Sequence, residues 1–316
     1  MSSSPASAES VDLPCTIRHD CQVPPDSIPS LLAAACTVVA APGTVASNLT
    51  LPRSADATQS GFGQKGSKVC IAWSEGNDAS LSHFKTSHVS GLYTWGTNKP
   101  ASANALGFDF WPMLWSGSQD SINAFESSVK AGFGTIILGF NEPNEQGQAN
   151  LDPNTAAALW KQHIVPKKAL GYKTCSPAVS AAPSGQQWMQ QFMQACGGAC
   201  QIDYMCVHWY GVGFTYLQTY LENWHNQYGL PLLLTEFAEV NYGSGAQPSL
   251  SDVTAFTKQT LQFVDNTSWM LAACPFGMYY SARARRTPFS PNPNIALQNS
   301  DGTPTQLGSI VINDQY

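Results

Sequence analysis

The sequence predicts an α/β fold, a single (β/α)8 TIM barrel, irregular, with reduced helices on its early strands. Three observations lead there. Eight apolar runs recur between residues 68 and 279, amphipathic segments separate several of them, and two of the runs have a carboxylate at or just past their ends. A barrel of this type takes about 250 residues, and the 316-residue chain supplies them with an N-terminal remainder.

The strand candidates are residues 68–73, 89–95, 108–115, 135–140, 172–176, 202–209, 231–236 and 271–279. Between them, Ile122, Phe125 and Val129 fall at helical spacing ahead of Gly132, which reads as a C-terminal cap. Asp152-Pro153 reads as an N-cap followed by proline in the first helical position. Its helix carries Leu159, Trp160, His163 and Ile164 on one side. Trp188 with Phe192, residues 216–224 and residues 253–264 mark three further helices. A doubly wound dinucleotide fold is the competing reading, because GFGQKG at 61–66 matches G-x-G-x-x-G. That motif precedes its nearest strand, whereas a nucleotide fold needs it after one.

Residues 1–62, rich in Ser, Pro and Ala, read as an N-terminal extension packing on the barrel, and residues 63–316 as the barrel domain. Within the extension, residues 28–46 are apolar but too short and interrupted to span a bilayer; they read as a helix lying on the barrel. MSSSPASAES at the start carries no apolar h-region, so no signal peptide is read there.

Charged residues make up 11% of the chain, against about 25% in average soluble proteins. With nine Trp, eleven Tyr and fourteen Phe, this composition suits an extracellular protein that meets sugars. A net charge of −6 argues against a nucleic-acid backbone as ligand. The one basic spot is Arg283, Arg285 and Arg286, read as a solvated loop. Nine cysteines favour an oxidising compartment. Cys196 and Cys200 flank GGA and are placed to close a small disulfide loop. Cys15, Cys21 and Cys36 pair with one another or with the barrel, while Cys70, Cys206 and Cys274 are expected to pack as buried small residues. The sequons at Asn48 and Asn266 add to the case for secretion.

Catalytic groups of such barrels gather at the C-terminal strand ends. Those ends hold Trp95, Trp115, Asn141, Glu142, Ser176, His208, Tyr210 and Glu236. Two carboxylates at one mouth are what glycoside hydrolysis needs: one protonates the leaving oxygen while the other attacks, or activates water, from the opposite face. No metal is expected, since His83 and His88 are five apart and neither Cys-x-x-Cys nor His-Glu-x-x-His occurs. A serine hydrolase lacks its G-x-S-x-G elbow.

The ordered set PMLW (112–115), LGFNEPN (138–144), SPA (176–178), HWYG (208–211) and LTEFA (234–238) resembles glycoside hydrolase family 128 over roughly residues 68–282. The resemblance implies retaining cleavage of β-1,3-glucan; the expected protein is an endo-acting, secreted monomer that needs no cofactor and has no nucleic-acid or membrane partner. It implies Glu142 as acid/base and Glu236 as nucleophile, with Asn141 on the sugar 2-hydroxyl. Trp95, Trp115, His208 and Tyr210 are the further substrate-binding candidates. His208 or Tyr210 is placed to hydrogen-bond Glu236, and Trp95, Trp111 and Trp115 are each either core or sugar platforms. Glu145 and Glu239 are the rivals of the two chosen carboxylates. At the eighth strand this chain reads ACPFGMYY where the family has a Tyr-Ala-Trp-Phe-like run, so Phe276 or Tyr279 stands in for the tryptophan platform. A non-catalytic glucan-binding or sensing protein on the same fold is the alternative.

Overall fold

In the computed structural model, which describes residues 62–279 and 292–316, every one of the eight apolar runs overlaps a strand. They are β1 (Val69–Ala72), β2 (Val89–Tyr93), β3 (Asp109–Phe110), β4 (Ile136–Leu138), β5 (Lys173–Cys175), β6 (Met205–Gly211), β7 (Leu232–Glu239) and β8 (Met270–Pro275). All pairings between these strands are parallel, in a ladder β3-β2-β1-β8-β7-β6 and a second ladder β4-β5. Single bridges Met113↔Leu138 and Cys175↔Tyr204 join the two ladders at both seams and close the barrel.

Parallel neighbours need a crossover, and its form changes along the chain. Only a 3-10 turn (Ala79–Phe84) follows β1, and only the four-residue α1 (Ala103–Leu106) follows β2. Longer helices follow later: α2 (Gln119–Ser128), α3 (Pro153–Leu159), α4 (Pro183–Cys196), α5 (Phe214–Tyr228), α6 (Leu250–Asn266) and α7 (Gln306–Ile312). Asp152 caps α3 through the amides of Asn154 and Thr155, with Pro153 in the first position. That helix runs on as one π turn (Trp160–Ile164) and a 3-10 turn (Val165–Leu170). Gly132 is not the cap of α2: Val129 already leaves helical geometry at ψ 83° with its side chain fully buried.

Strand alternation sorts the side chains into two layers. Cys70, Ala72, Tyr93, Trp111, Ile136, Leu138, Leu233 and Cys274 fill the barrel interior. Val69, Ile71, Ile137, Leu232 and Leu234 face the helices. Trp111 is core rather than platform: a Cβ at Gly91 of β2 would lie 2.2 Å from its ring, so only glycine fits there. Phe62 packs edge-on against Trp111 at 5.6 Å and lies 6.1 Å from the Tyr204 ring, beside the start of β6. Phe62, the last residue assigned to the extension, therefore packs against the interior cluster of the barrel. The buried Lys68 ammonium binds the carbonyls of Val264 (3.0 Å) and Thr267 (2.9 Å), satisfying the end of α6.

The cysteines correct the sequence reading. Cys196–Cys200 is a disulfide as expected, but Cys70 bonds Cys274 and Cys206 bonds Cys175, where packed free thiols were expected. Cys70 and Cys274 stand on adjacent strands with Cα atoms 4.5 Å apart although 204 residues separate them. Only barrel closure brings them together. Residues 1–61 and 280–291 lie outside the described residues, and with them fall the 28–46 helix, Cys15, Cys21, Cys36, the Asn48 sequon and the Arg283, Arg285, Arg286 cluster. Asn266 is exposed at the end of α6. Among the described residues, no helix is long and apolar enough to cross a membrane.

Candidate active site

Glu142 sits just past β4, on backbone that is itself unusual. Its φ is +41°, a region that costs a non-glycine residue about 1–3 kcal/mol and clusters at functional sites. Hydrogen bonds over-determine that conformation. Asn141 N–H donates to Trp115 O (3.0 Å) and Glu142 N–H to Ala178 O (2.7 Å), pinning the pair between the chains leaving β3 and β5.

Glu236 reaches the same space through a defect in β7. The register runs Val207↔Leu234 and then His208↔Glu236, so Thr235 is an extra residue opposite a continuous β6. Leu234 and Phe237 both lie in the outer layer although three residues apart, so the alternation flips once between them. That bulge turns Glu236 toward the mouth, a common use of bulges beside functional sites. Tyr93 supports it, its hydroxyl donating to Thr235 O at 2.7 Å.

His208 lies between the two carboxylates, fully buried. Its Nδ1 bonds Glu142 Oε1 at 3.0 Å, and its Nε2 stands 3.5 Å from Glu236 Oε1. Tyr210, two residues on and therefore on the same face, donates its hydroxyl to Glu236 Oε2 at 2.6 Å. The Trp95 indole donates to Glu236 Oε1 at 2.7 Å. Of the two residues expected to hydrogen-bond Glu236, Tyr210 does so, while His208 gives its bond to Glu142. Trp95, whose own φ is +54°, joins Tyr210 there. Trp209 points away, its ring 5.2 Å from Tyr220 of α5.

The remaining candidates divide. Asn141 is buried; its amide nitrogen donates to Gln148 at 3.1 Å, and its Oδ1 has no partner among the described residues. Trp115 is half-buried against the interior cluster, and its carbonyl serves the site by accepting from Asn141 N–H. Ser176 is spent on the backbone, accepting from Cys206 N–H at 3.0 Å. Glu145 was expected on a solvated loop; it is half-buried and bonded to Ser180 and Asn144 instead. Glu239 is buried and accepts from Gly213 N–H at 3.2 Å, away from the trio. Phe276 joins the site by packing edge-on at 6.0 Å from Trp95 and 5.6 Å from Tyr210, with Tyr279 behind it at 5.7 Å. Sequence reasoning missed Tyr93 and Tyr242, the latter 6.4 Å from the Tyr210 ring; neither lies in a motif.

Burial sets the electrostatics. It raises Glu236 above the ordinary 4.5; His208 opposes this, the Glu142 charge adds to it, and the Tyr210 and Trp95 donors pull back without prevailing. For His208, burial works against the charged form. The charge of Glu236, with the bond to Glu142 and its charge, outweighs burial and lifts the imidazole above 6.5. Burial and the Glu236 charge push Tyr210 well above 10, so it remains a donor. Both raised groups, Glu236 and His208, bind protons more tightly in the folded chain. Their stabilisation is full below the unfolded pKa values and is lost as pH rises through the folded ones, each tenfold gain in proton affinity being worth about 1.4 kcal/mol. Thermal unfolding between pH 5 and 8.5 is expected to show a midpoint that falls as pH rises. In His208→Gln the imidazole's share of that fall is lost and Glu236 loses the charge that opposes its rise, so the slope is expected to change. A variant with the wild-type slope would rule out His208 as its source.

One donor atom each from Glu142, His208 and Glu236 lie within 4.8 Å of one another, a spacing that can also hold a divalent metal. Both Glu236 oxygens already accept from Trp95 and Tyr210, and His208 Nδ1 is engaged by Glu142. Such a network suits carboxylates that handle protons and a reacting carbon.

A parallel barrel presenting two facing carboxylates at its C-terminal mouth meets the requirement of acid-assisted cleavage at an acetal carbon, and the class it defines is the glycoside hydrolases. The chain belongs to the family described as the glycosyl hydrolase catalytic core, whose model matches residues 70–311. Among curated proteins, alkali-sensitive linkage protein 1 of Schizosaccharomyces pombe is 33% identical over 254 residues, covering 77% of this chain and 44% of that protein. The chain thus spans less than half of that relative's length. Among solved structures, a family 128 endo-β-1,3-glucanase of Sorangium cellulosum is 27% identical with a TM-score of 0.63, over 78% of this chain and 97% of that one. A family 128 exo-β-1,3-glucanase of Aureobasidium namibiae shares the fold at a TM-score of 0.68 and 24% identity, over 80% and 98%.

Proposed function

We propose that this chain hydrolyses β-1,3-glucan with retention, as a secreted endo-acting enzyme with Glu142 as acid/base and Glu236 as nucleophile. The observation that carries the mechanism is the approach of the two carboxylates to within 4.8 Å, measured between one oxygen of each. Retaining sites hold the pair about 5–5.5 Å apart, while inverting sites need about 6.5–9.5 Å to admit a water. The substrate reading rests on the family and on the Sorangium enzyme. Three disulfides support an oxidising compartment.

In the first step Glu142 gives its proton to the glycosidic oxygen as Glu236 attacks the anomeric carbon. The leaving chain departs as an alcohol, and a glucosyl ester forms on Glu236. In the second, Glu142 takes a proton from water, the water oxygen attacks the same carbon, and Glu236 is released as carboxylate. Trp95 and Tyr210 aim Glu236 by holding both its oxygens. The buried, unpartnered Asn141 Oδ1 supports a hydroxyl-binding role, because such an acceptor costs about 1–3 kcal/mol until a donor arrives.

Proton NMR of laminarin digestion tests linkage and stereochemistry together. The first sugar released is expected as the β-anomer, and release from laminarin to exceed that from soluble cellulose and xylan by about 10²-fold, the cost of a scissile bond misplaced by about 1 Å. An initial α-anomer would sink double displacement. Laminarin binding without release would favour the sensing alternative.

A further inference from the structure

We propose that Tyr216, in the first turn of α5 just beyond Val212, is a stacking platform for a glucosyl unit of the bound glucan away from the cleavage point. The inference rests on the β-1,3-glucanase reading above. Among the described residues five large apolar side chains are exposed, and three of them, Tyr216 at 71%, Val212 at 48% and Tyr242 at 39%, lie in the two segments that follow β6 and β7. Clustering of exposed apolar surface beside a functional mouth marks a binding surface. The two segments leave the barrel side by side, with Val240 N–H donating to Gly211 O at 3.3 Å.

The ledge is firmly built. Gly213, at φ +93°, takes a conformation that L side chains rarely adopt, and its N–H donates to the buried Glu239 carboxylate at 3.2 Å. The Tyr216 ring lies over this glycine, 3.4 Å from where a Cβ would stand. Tyr216 itself makes no hydrogen bond or ring contact among the described residues, so its face is presented to solvent on a fixed support. A tyrosine ring has few torsions to freeze, so it gives contact area at low entropic cost on binding.

Continuity and charge select the occupant. Tyr242 packs edge-on at 6.4 Å from Tyr210, whose hydroxyl holds Glu236. Tyr216 is six positions beyond Tyr210, at most about 20 Å of extended chain, a span that an oligosaccharide crosses. No charged residue occurs at 210–216 or 240–248. A neutral, aromatic ledge matches the C–H faces of a neutral polysaccharide rather than an acidic or basic partner.

The test is the chain-length profile of kcat/KM on laminari-oligosaccharides for wild type, Tyr216→Ala and Tyr216→Phe. Tyr216→Ala is expected to lose roughly tenfold on long chains through KM, the scale of one aromatic contact, with the loss shrinking as substrates shorten. Tyr216→Phe keeps the ring and is expected to keep the profile. A wild type that cleaves while Tyr216→Ala shows an unchanged profile, or an equal loss at every length, overturns the platform alone. A wild type that neither cleaves nor binds any β-1,3-linked oligosaccharide overturns the functional reading and the platform with it.

Discussion

Alanine in place of Glu236 is expected to remove turnover by about 10⁴-fold or more, the scale seen when a nucleophilic unit is broken. Azide is expected to restore part of it on a substrate with an activated leaving group. Both results follow from the proposed role of Glu236. Glu236 is buried, and its oxygens are held by Trp95 and Tyr210. On the proposed mechanism, truncation removes the attacking group and leaves a hole lined by those donors, where a small anion fits. Azide entering from that side attacks the face the carboxylate would have attacked, so the product is an α-glucosyl azide. A β-azide would mean that Glu236 does not stand behind the anomeric carbon. Glu239→Ala is the control, because its carboxylate bonds Gly213 rather than the trio. A loss in that variant equal to that of Glu236→Ala would show that the wrong carboxylate had been chosen.

The eight strands were legible because each must bury both faces in a closed parallel barrel, which leaves near-continuous apolar runs. The thin crossovers after β1 and β2 were legible for the complementary reason: too few residues of helical periodicity separate those runs. What local pattern could not carry was anything created by closure. Cys70 and Cys274 read as two apolar small residues 204 positions apart, and nothing in either neighbourhood announces the other. Cys175 and Cys206 likewise meet only because β5 lies beside β6.

The site divides in the same way. Asn141, Glu142, His208, Tyr210 and Glu236 were readable as polar residues at strand ends. Their mutual roles were not, because those depend on backbone irregularities that sequence periodicity does not encode. Plain alternation from Leu233 would have sent Glu236 outward; the extra residue at Thr235 sends it in. Trp95 was read as a sugar platform or core residue; a left-handed backbone at φ +54° and an indole bond to Glu236 also make it part of the carboxylate's support. His208 was expected beside Glu236 and proves to be shared, bonded to one carboxylate and 3.5 Å from the other. A shift of charge on either carboxylate is therefore felt by the same imidazole.

The complementary substitution separates the two roles by leaving group. Glu142→Ala is expected to slow hydrolysis of laminarin by about 10²–10⁴-fold, the range that general acid–base catalysis supplies. An aryl glucoside whose leaving group departs without a proton needs no acid, so its first step is expected to survive. Glucosyl-enzyme then accumulates, because no base remains to activate water. Azide needs no such base. It attacks the ester from the face that Glu142 occupied and gives a β-glucosyl azide, opposite in configuration to the product from Glu236→Ala. Glu145→Ala is the discriminating control. Its carboxylate is three residues beyond Glu142 but tied to Ser180 and Asn144, so it is expected to behave nearly as wild type on both substrates. Equal losses on the two leaving groups in Glu142→Ala would remove it from the acid role, and leaving-group dependence in Glu145→Ala would transfer that role to the neighbouring carboxylate.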